Sequence, residues 1–218
     1  MPGMQDAIVL IGPTGSGKSP LGELLRSGGL WGRRCVHFDF GAELRRIAAS
    51  DATGEFNESE IQFVRNVLTE GALLEDGDFH IALRAVKAVL IAQNADENDI
   101  LVLNGLPRHL GQVRNLQAIV DVVALVVLHC SPEVVARRIE TNAGGDRTDR
   151  RDDSLDAVAR RLEIFAERTA PLADYYHRAG ADVYTIEVTQ TTRPRQIVDG
   201  LERRRDKQQY ETGDTACW

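Results

Sequence analysis

The sequence predicts an α/β fold, with a parallel five-stranded sheet and helices on both faces. Three observations lead to this prediction. Short apolar runs alternate with helical patterns along the 218 residues, which is typical of parallel sheets. The run 123–128 (VALVVL) has the composition of a strand that is buried on both faces. A Gly-rich segment joins the first apolar run to the first helical pattern, where α/β proteins bind phosphates.

The Gly-rich segment 12–19 (GPTGSGKS) matches the phosphate-binding pattern G-x-x-x-x-G-K-[ST] in full. The strand-like run 7–11 precedes it, and apolar residues with helical spacing follow at Leu21, Leu24 and Leu25. Glycines let the backbone wrap an anion, and the N–H groups at a helix start point at phosphate oxygens. We therefore expect Lys18 to bridge the outer phosphates of ATP and Ser19 to reach Mg²⁺. The full set of expected ATP-binding residues is Gly12, Gly15, Ser16, Gly17, Lys18 and Ser19.

Predicted strands and helices alternate along the rest of the chain, as the α/β fold requires. The expected strands after the first are 35–38, 100–103, 123–128 and 183–188. The expected helices are one ending near 27, one through 44–47, one starting at 131–133, and 59–70, 77–93, 154–178 and 194–207. About 60 residues of helix and loop separate the second and third strands, whereas a crossover in such a fold usually holds one helix. The excess predicts an inserted helical subdomain.

Composition argues against several other classes of protein. A general nucleic-acid binder is usually basic, whereas this chain has a net charge of −7. Its three cysteines, Cys35, Cys130 and Cys217, are far apart and odd in number, which favours reduced thiols over a disulfide framework or a zinc site. No apolar run approaches the roughly 18 residues of a membrane span, and the N-terminus lacks the pattern of a signal peptide. We expect a cytoplasmic protein, a monomer, with neither nucleic acid nor membrane as partner.

Arginines recur near the predicted ends of strands. Arg45 lies in the helix after the second strand, and Arg108 follows the third strand in the turn 105–108 (GLPR). Arg138, Arg150 and Arg161 flank a short charged segment, 143–153. A single arginine is most often a surface charge, but guanidinium groups are also suited to bidentate binding of phosphoryl oxygens. The joint pattern favours binding of phosphoryl groups.

Over residues 7–205 the chain resembles the adenylate kinase family of nucleoside monophosphate kinases. Several short segments in the same order carry this resemblance. They are the phosphate-binding loop, 37–45 (HFDFGAELR), 68–74 (LTEGALL), 104–112 (NGLPRHLGQ), 128–139 (LHCSPEVVARRI), 150–153 (RRDD), 161–162 (RL) and 169–172 (TAPL). The resemblance implies transfer of the γ-phosphoryl group from Mg²⁺-bound ATP to a nucleoside monophosphate, most often AMP.

The resemblance also implies a role for individual residues. It implies that phosphoryl transfer depends on Lys18, Arg108, Arg138, Arg150 and Arg161. It implies an acceptor site formed by Gly41, Arg45, Leu74, Gly105, Arg108 and Gln112, in which Gln112 reads the base. Asp152 and Asp153 match an acidic pair that orders a lid. The expected organisation is one kinase domain, 1–208, with its core in 1–40, 94–141 and 154–208, acceptor-binding helices in 41–93, a short lid in 142–153, and a flexible tail in 209–218.

The chain departs from the family pattern at the acceptor and metal positions. Asn104 stands where the family has an aspartate that helps to hold Mg²⁺, so we expect weaker metal binding through this residue. Phe40 and Ala42 stand where the family has threonine and aspartate, and Pro20 follows the loop. Two alternatives therefore stay open: a kinase of the same fold for another small acceptor, and a nucleotide-binding sensor with little catalysis.

Overall fold

The computed structural model describes residues 4–51, 54–146 and 155–213. Its five strands form one parallel sheet in the order β2-β3-β1-β4-β5. The strands are β1 (Gln5–Ile11), β2 (Cys35–Asp39), β3 (Ile100–Asn104), β4 (Val120–His129) and β5 (Asp182–Glu187). The predicted parallel α/β sheet is thus confirmed.

Helices connect the strands, and some of them begin at a side-chain cap. They are α1 (Lys18–Gly28), α2 (Phe40–Ala48), α3 (Glu58–Glu70), α4 (Phe79–Ala92), α5 (Leu110–Leu116), α6 (Pro132–Glu140), α7 (Leu155–Ile164), α8 (Leu172–Arg178) and α9 (Pro194–Gly213). Asn57 and Glu60 form a reciprocal capping box at the start of α3. Ser131 caps α6, and Pro132 takes its first position, where its missing N–H costs nothing.

The core lies on both faces of the sheet because the inner strands are apolar on both sides. In β1, Ile8 and Leu10 pack with the apolar residues of α1 and α9, whereas Val9 and Ile11 pack on the opposite face with those of α2 to α5 and α8. All four side chains are at most 2% exposed. The helices between β2 and β3 share the core of that second face. They are therefore continuous with the sheet and do not enclose a separate core.

Three parts of the structure differ from the sequence prediction. The helix expected over 154–178 is interrupted by a π-helical segment, Phe165–Thr169. Here Ala170 N bonds to Phe165 O at 2.8 Å, five residues back, just before Pro171, which has no N–H to donate. Helix α5 was not predicted, since it has only seven residues. Helix α9 continues to Gly213, six residues beyond the end predicted at 207, and the flexible tail over 209–218 stays a prediction.

The predicted lid, 142–153, is described only for 142–146. Arg150, Asp152, Asp153 and Ser154, the first residue of the expected helix 154–178, lie outside the described ranges. Cys35 and Cys130 are free thiols, as expected, and Cys217 is also outside. Within those ranges, every helix is too short or too polar to cross a membrane.

Candidate active site

The phosphate-binding loop lies between β1 and α1, at the carboxyl edge of the sheet. Gly15 and Gly17 have φ values of 78° and 101°, which residues with a Cβ rarely adopt. Gly12 is required for a different reason, because a Cβ on it would lie 2.6 Å from Ser16 Oγ. The Lys18 ammonium group donates to Gly12 O at 2.6 Å and to Pro13 O at 2.7 Å. It therefore lies across the loop that is expected to hold the phosphates.

Three polar side chains meet beside the loop, at the ends of neighbouring elements. Ser19 Oγ donates to Asp39 Oδ2 at 2.5 Å. Asn104 Nδ2 donates to the same carboxylate oxygen at 2.7 Å and lies 3.0 Å from Ser19 Oγ. Strands β2 and β3 are in register with Asp39 opposite Asn104, which explains why residues 65 positions apart are in contact.

Sequence reasoning did not identify Asp39 as a site residue. The signal was present, because Asp39 follows the apolar run of β2 and the carboxyl ends of parallel strands meet at one edge of the sheet. The side chain also lines the pocket next to the loop. A carboxylate therefore lies beside Ser19 although residue 104 is an amide.

One continuous pocket joins the loop to the predicted acceptor side. Among the residues that line it are Lys18, Ser19 and Asn104, together with Gly41, Arg45, Leu74, Gly105, Arg108 and Arg161. Its apolar wall consists of Phe40, Leu44, Val67, Leu68, Leu73, Leu74 and Phe165. Within the described ranges, no carboxylate forms an ion pair with Arg45 or Arg108. The pocket therefore combines cationic groups with an apolar surface.

The backbone on both sides of Arg108 is held by hydrogen bonds. Arg108 N donates to Gln112 Oε1 at 2.7 Å, and Thr169 Oγ1 donates to Arg108 O at 2.9 Å. Burial, and then the positive charge of Arg161, lower the pKa of the Arg108 guanidinium to about 10. Arg108 is therefore still charged at neutral pH, and an anion in the pocket would relieve the repulsion between the two arginines.

Gln112 lies behind the pocket wall in this structure. It is 0% exposed, it does not line the pocket, and its Nε2 donates to Leu74 O at 2.8 Å. His109 Nε2 lies 3.0 Å from the same carbonyl. Gln112 thus fixes the backbone at Leu74 and Arg108. Its expected contact with the acceptor base stays a prediction, which this arrangement does not favour.

Arg138 supports the phosphate-binding loop from outside the pocket. It is 4% exposed, and its Nε donates to Gly15 O at 3.0 Å. Its Nη1 donates to Thr189 O at 2.9 Å and to Thr192 O at 3.2 Å, in the connection between β5 and α9. Through these bonds Arg138 connects the loop to the segment between β5 and α9 and stabilises its conformation. Its expected contact with the transferring phosphoryl group also stays a prediction.

An ion pair joins the π-helical segment to the loop after α3. Arg168 donates from both terminal nitrogens to the two carboxylate oxygens of Glu75, at 2.6 and 3.0 Å. The bidentate bond to Arg168 lowers the pKa of the Glu75 carboxyl. Phe165 and Thr169 of the same segment line the pocket. The pair therefore connects two walls of the pocket.

Comparison with known proteins agrees with this geometry. Residues 8–158 match the model of a family described as AAA domain. An adenylate kinase of Synechococcus sp. (strain CC9311) is 30% identical over 186 residues, which cover 81% of this chain and 87% of the relative. An adenylate kinase of Prochlorococcus marinus (strain MIT 9211) is 28% identical, covering 81% and 86%. UMP-CMP kinase 1 of Oryza sativa subsp. japonica is 27% identical, covering 82% and 67%.

The chain belongs to the AAA domain family and to the adenylate kinase family. A solved structure, a gluconokinase from Sinorhizobium meliloti 1021, superposes with a TM-score of 0.54 over 98% of this chain and 99% of that one, at 18% identity. This likeness shows the fold alone. Because the curated relatives named above are kinases, the member described here is a phosphotransferase, and the alternative of a sensor with little catalysis is not supported.

Proposed function

We propose that this adenylate kinase family member transfers the γ-phosphoryl group of ATP to a nucleoside monophosphate, with AMP as the preferred acceptor. The observation that carries the proposal is the continuous pocket, which Lys18 and the loop line together with Arg45, Arg108 and Arg161. Phosphoryl transfer needs in-line positioning and charge neutralisation more than it needs a nucleophile or base. A pocket that is lined by these cationic groups would supply both.

Each group in the pocket has a defined task in this proposal. The N–H groups of the loop and Lys18 hold the phosphates of ATP. Arg45 and Arg108 bind the phosphate of the acceptor, and Arg161 neutralises charge between the two nucleotides. The apolar wall around Phe40 and Leu73 packs against the acceptor base and excludes water.

Mg²⁺ is the cofactor in this proposal, and the residues present fit it. Mg²⁺ prefers oxygen ligands and is usually held by one or two protein groups together with substrate phosphates. The hydroxyl of Ser19 and the carboxylate of Asp39 provide such oxygens beside the loop. When bound, Mg²⁺ neutralises phosphate charge during the transfer.

The test is to incubate the protein with ATP and Mg²⁺ and to measure ADP with AMP, CMP, UMP or GMP as acceptor. We expect turnover with AMP, because most of the similar kinases are named adenylate kinases. The pyrimidine nucleotides are informative competitors, because one relative is named a UMP-CMP kinase. If ATP binds and none of the four monophosphates is phosphorylated, the proposed function is wrong.

A second candidate is a kinase for a small hydroxyl acceptor. Asp39 favours it, because its carboxylate lines the pocket and in such a kinase would accept a proton from an attacking alcohol instead of holding Mg²⁺. A panel of sugar acids and polyols, assayed for ADP under the same conditions, distinguishes the two functions. Turnover with a member of this panel, and with no monophosphate, would establish the second candidate.

A further inference from the structure

Strands β2 and β3 end in residues that together carry one negative charge beside the phosphate-binding loop. The residue that ends β3, where the family resemblance leads one to expect an aspartate, is Asn104. The residue opposite it at the end of β2 is Asp39. The carboxylate and the amide are 2.7 Å apart, and both contact Ser19. The acidic group therefore lies at the end of β2 instead of β3, and it still contacts the hydroxyl of Ser19.

The two oxygens of Asp39 have separate hydrogen-bond partners. Oδ1 accepts from Ala42 N at 2.9 Å and caps α2. Oδ2 accepts from Ser19 Oγ and Asn104 Nδ2. The cap fixes the side-chain orientation, so the second oxygen is held towards the loop. A role as helix cap alone does not explain why this oxygen points at Ser19.

The amide of Asn104 provides a hydrogen-bond donor for this carboxylate. In P-loop proteins Mg²⁺ is held by the loop Ser or Thr together with an acidic residue. An amide at position 104 cannot supply the charge, but its N–H₂ group can orient a neighbouring carboxylate. Two carboxylates at this distance would repel each other, and one of them would bind a proton. One acid with one amide avoids that cost and keeps the negative charge.

We propose that Asp39, and not the residue at the end of β3, is the acidic group that holds Mg²⁺ at the bound ATP, with Asn104 as the positioning residue that orients its carboxylate. The proposal rests on the ATP site of the proposed function and extends it. It concerns the donor nucleotide only, so its test requires no acceptor and no turnover.

The experiment measures how strongly the full-length protein binds β,γ-methylene-ATP by calorimetry, with Mg²⁺ and with EDTA. Asp39→Asn keeps an oxygen that can cap α2 and replaces the charged Oδ2 by a neutral amide nitrogen, towards which Asn104 can turn its own amide oxygen. We expect Mg²⁺ to strengthen binding to the unmodified protein, and Asp39→Asn to reduce this gain at least about tenfold. Binding in EDTA should be unchanged or tighter, because a negative charge near the phosphates is gone.

Two further variants make the test specific. Glu43→Gln removes a carboxylate from α2 that does not line the pocket, and it should leave the effect of Mg²⁺ unchanged. The exchange Asp39→Asn with Asn104→Asp returns the charge to β3 and should restore most of the Mg²⁺-dependent gain. Binding of Mn²⁺ to the protein–analogue complex, followed by electron paramagnetic resonance, should show the same order among the variants.

The outcomes separate this inference from the proposed function. The inference is overturned, while the ATP site stands, if Mg²⁺ strengthens analogue binding to Asp39→Asn as much as it does to the unmodified protein. It is also overturned if Glu43→Gln loses as much of this gain as Asp39→Asn does. If the unmodified protein does not bind the analogue even in EDTA, the proposed function fails and the inference fails with it.

Discussion

At the residue scale, Arg108 shows how its surroundings restrict which cation can serve in the pocket. Burial and Arg161 lower its pKa to about 10, which leaves the guanidinium charged at neutral pH. Lysine begins from an ordinary pKa of about 10.4, well below that of arginine. The same surroundings would therefore bring the pKa of a lysine much closer to neutrality.

Both proteins should consequently lose activity as the pH rises, and Arg108→Lys should lose it at a lower pH than the unmodified protein. The reason is that only the protonated amine can bind the acceptor phosphate. The measurement is kcat/KM for AMP as a function of pH, with Arg137→Lys as the control, because Arg137 is exposed on α6 and pairs with Glu140. Parallel profiles for Arg108→Lys and the unmodified protein would show that Arg108 does not bind the acceptor through its charge.

Gly22 shows how closely single residues pack in the core. It lies on the buried side of α1, where an added Cβ would be 2.1 Å from Nε2 of the buried His37 in β2. Gly22→Ala should cost about 1–3 kcal/mol in the free energy of unfolding, because α1 must move away from the strand. The matched control is Gly28→Ala, where nothing lies within 4 Å of the added Cβ.

Chemical denaturation of both variants measures this difference. Gly28→Ala should be neutral or gain up to about 1 kcal/mol, since alanine favours helix over glycine. Equal losses in the two variants would contradict the packing argument and point to a general effect on α1.

At the scale of elements, Arg168 and Glu75 connect the π-helical segment with the loop that follows α3. The side chains are 38% and 58% exposed, so their coupling should be below about 1 kcal/mol. The pKa of Glu75 is lowered chiefly by its bond to Arg168. A lowered pKa means that the stabilisation is complete above the ordinary value of 4.5 and is lost as the pH falls through the lower pKa of the folded state.

A double-mutant cycle with Arg168→Ala and Glu75→Ala tests this connection. We expect a coupling free energy in chemical denaturation at pH 7 that disappears well below pH 4.5. A coupling that does not change over this range would assign the effect to packing of the arginine stem instead of to the ion pair.

At the scale of the whole molecule, the pocket should respond separately to its two ligands. A ligand that binds only the folded state stabilises it by about 2.7 kcal/mol at a concentration of 100 Kd. For the unmodified protein we expect ATP and AMP each to raise Tm. Lys18→Ala should lose the shift with ATP and keep much of the shift with AMP, and Arg108→Ala should do the reverse.

Thermal denaturation with each nucleotide measures these shifts, and Arg137→Ala is the control for general loss of an arginine. If both variants lose both shifts, the two ligands do not occupy separate parts of the pocket. If neither loses any, the residues that line the pocket do not bind the nucleotides.

Much of this fold and part of its site could be predicted because the signals are local. The five strands, the phosphate-binding loop and the capped start of α6 depend on apolar periodicity, on glycine spacing and on a Ser-Pro pair within a few residues. Arg45, Arg108 and Arg161 were predicted from their order along the chain, and the sheet brings them into one pocket with Lys18. Residues at the carboxyl ends of parallel strands gather at one edge whatever the details of packing.

Only the tertiary structure decided where the polar side chains point. It turned Gln112 and Arg138 towards backbone carbonyls, and their contact with substrate, which the family resemblance implies, stays a prediction. It paired Asp39 with Asn104 across two strands and so placed at Ser19 a carboxylate that sequence reasoning did not identify. These outcomes depend on contacts between residues far apart in the chain, and a side chain takes the partner that packing brings within hydrogen-bond distance.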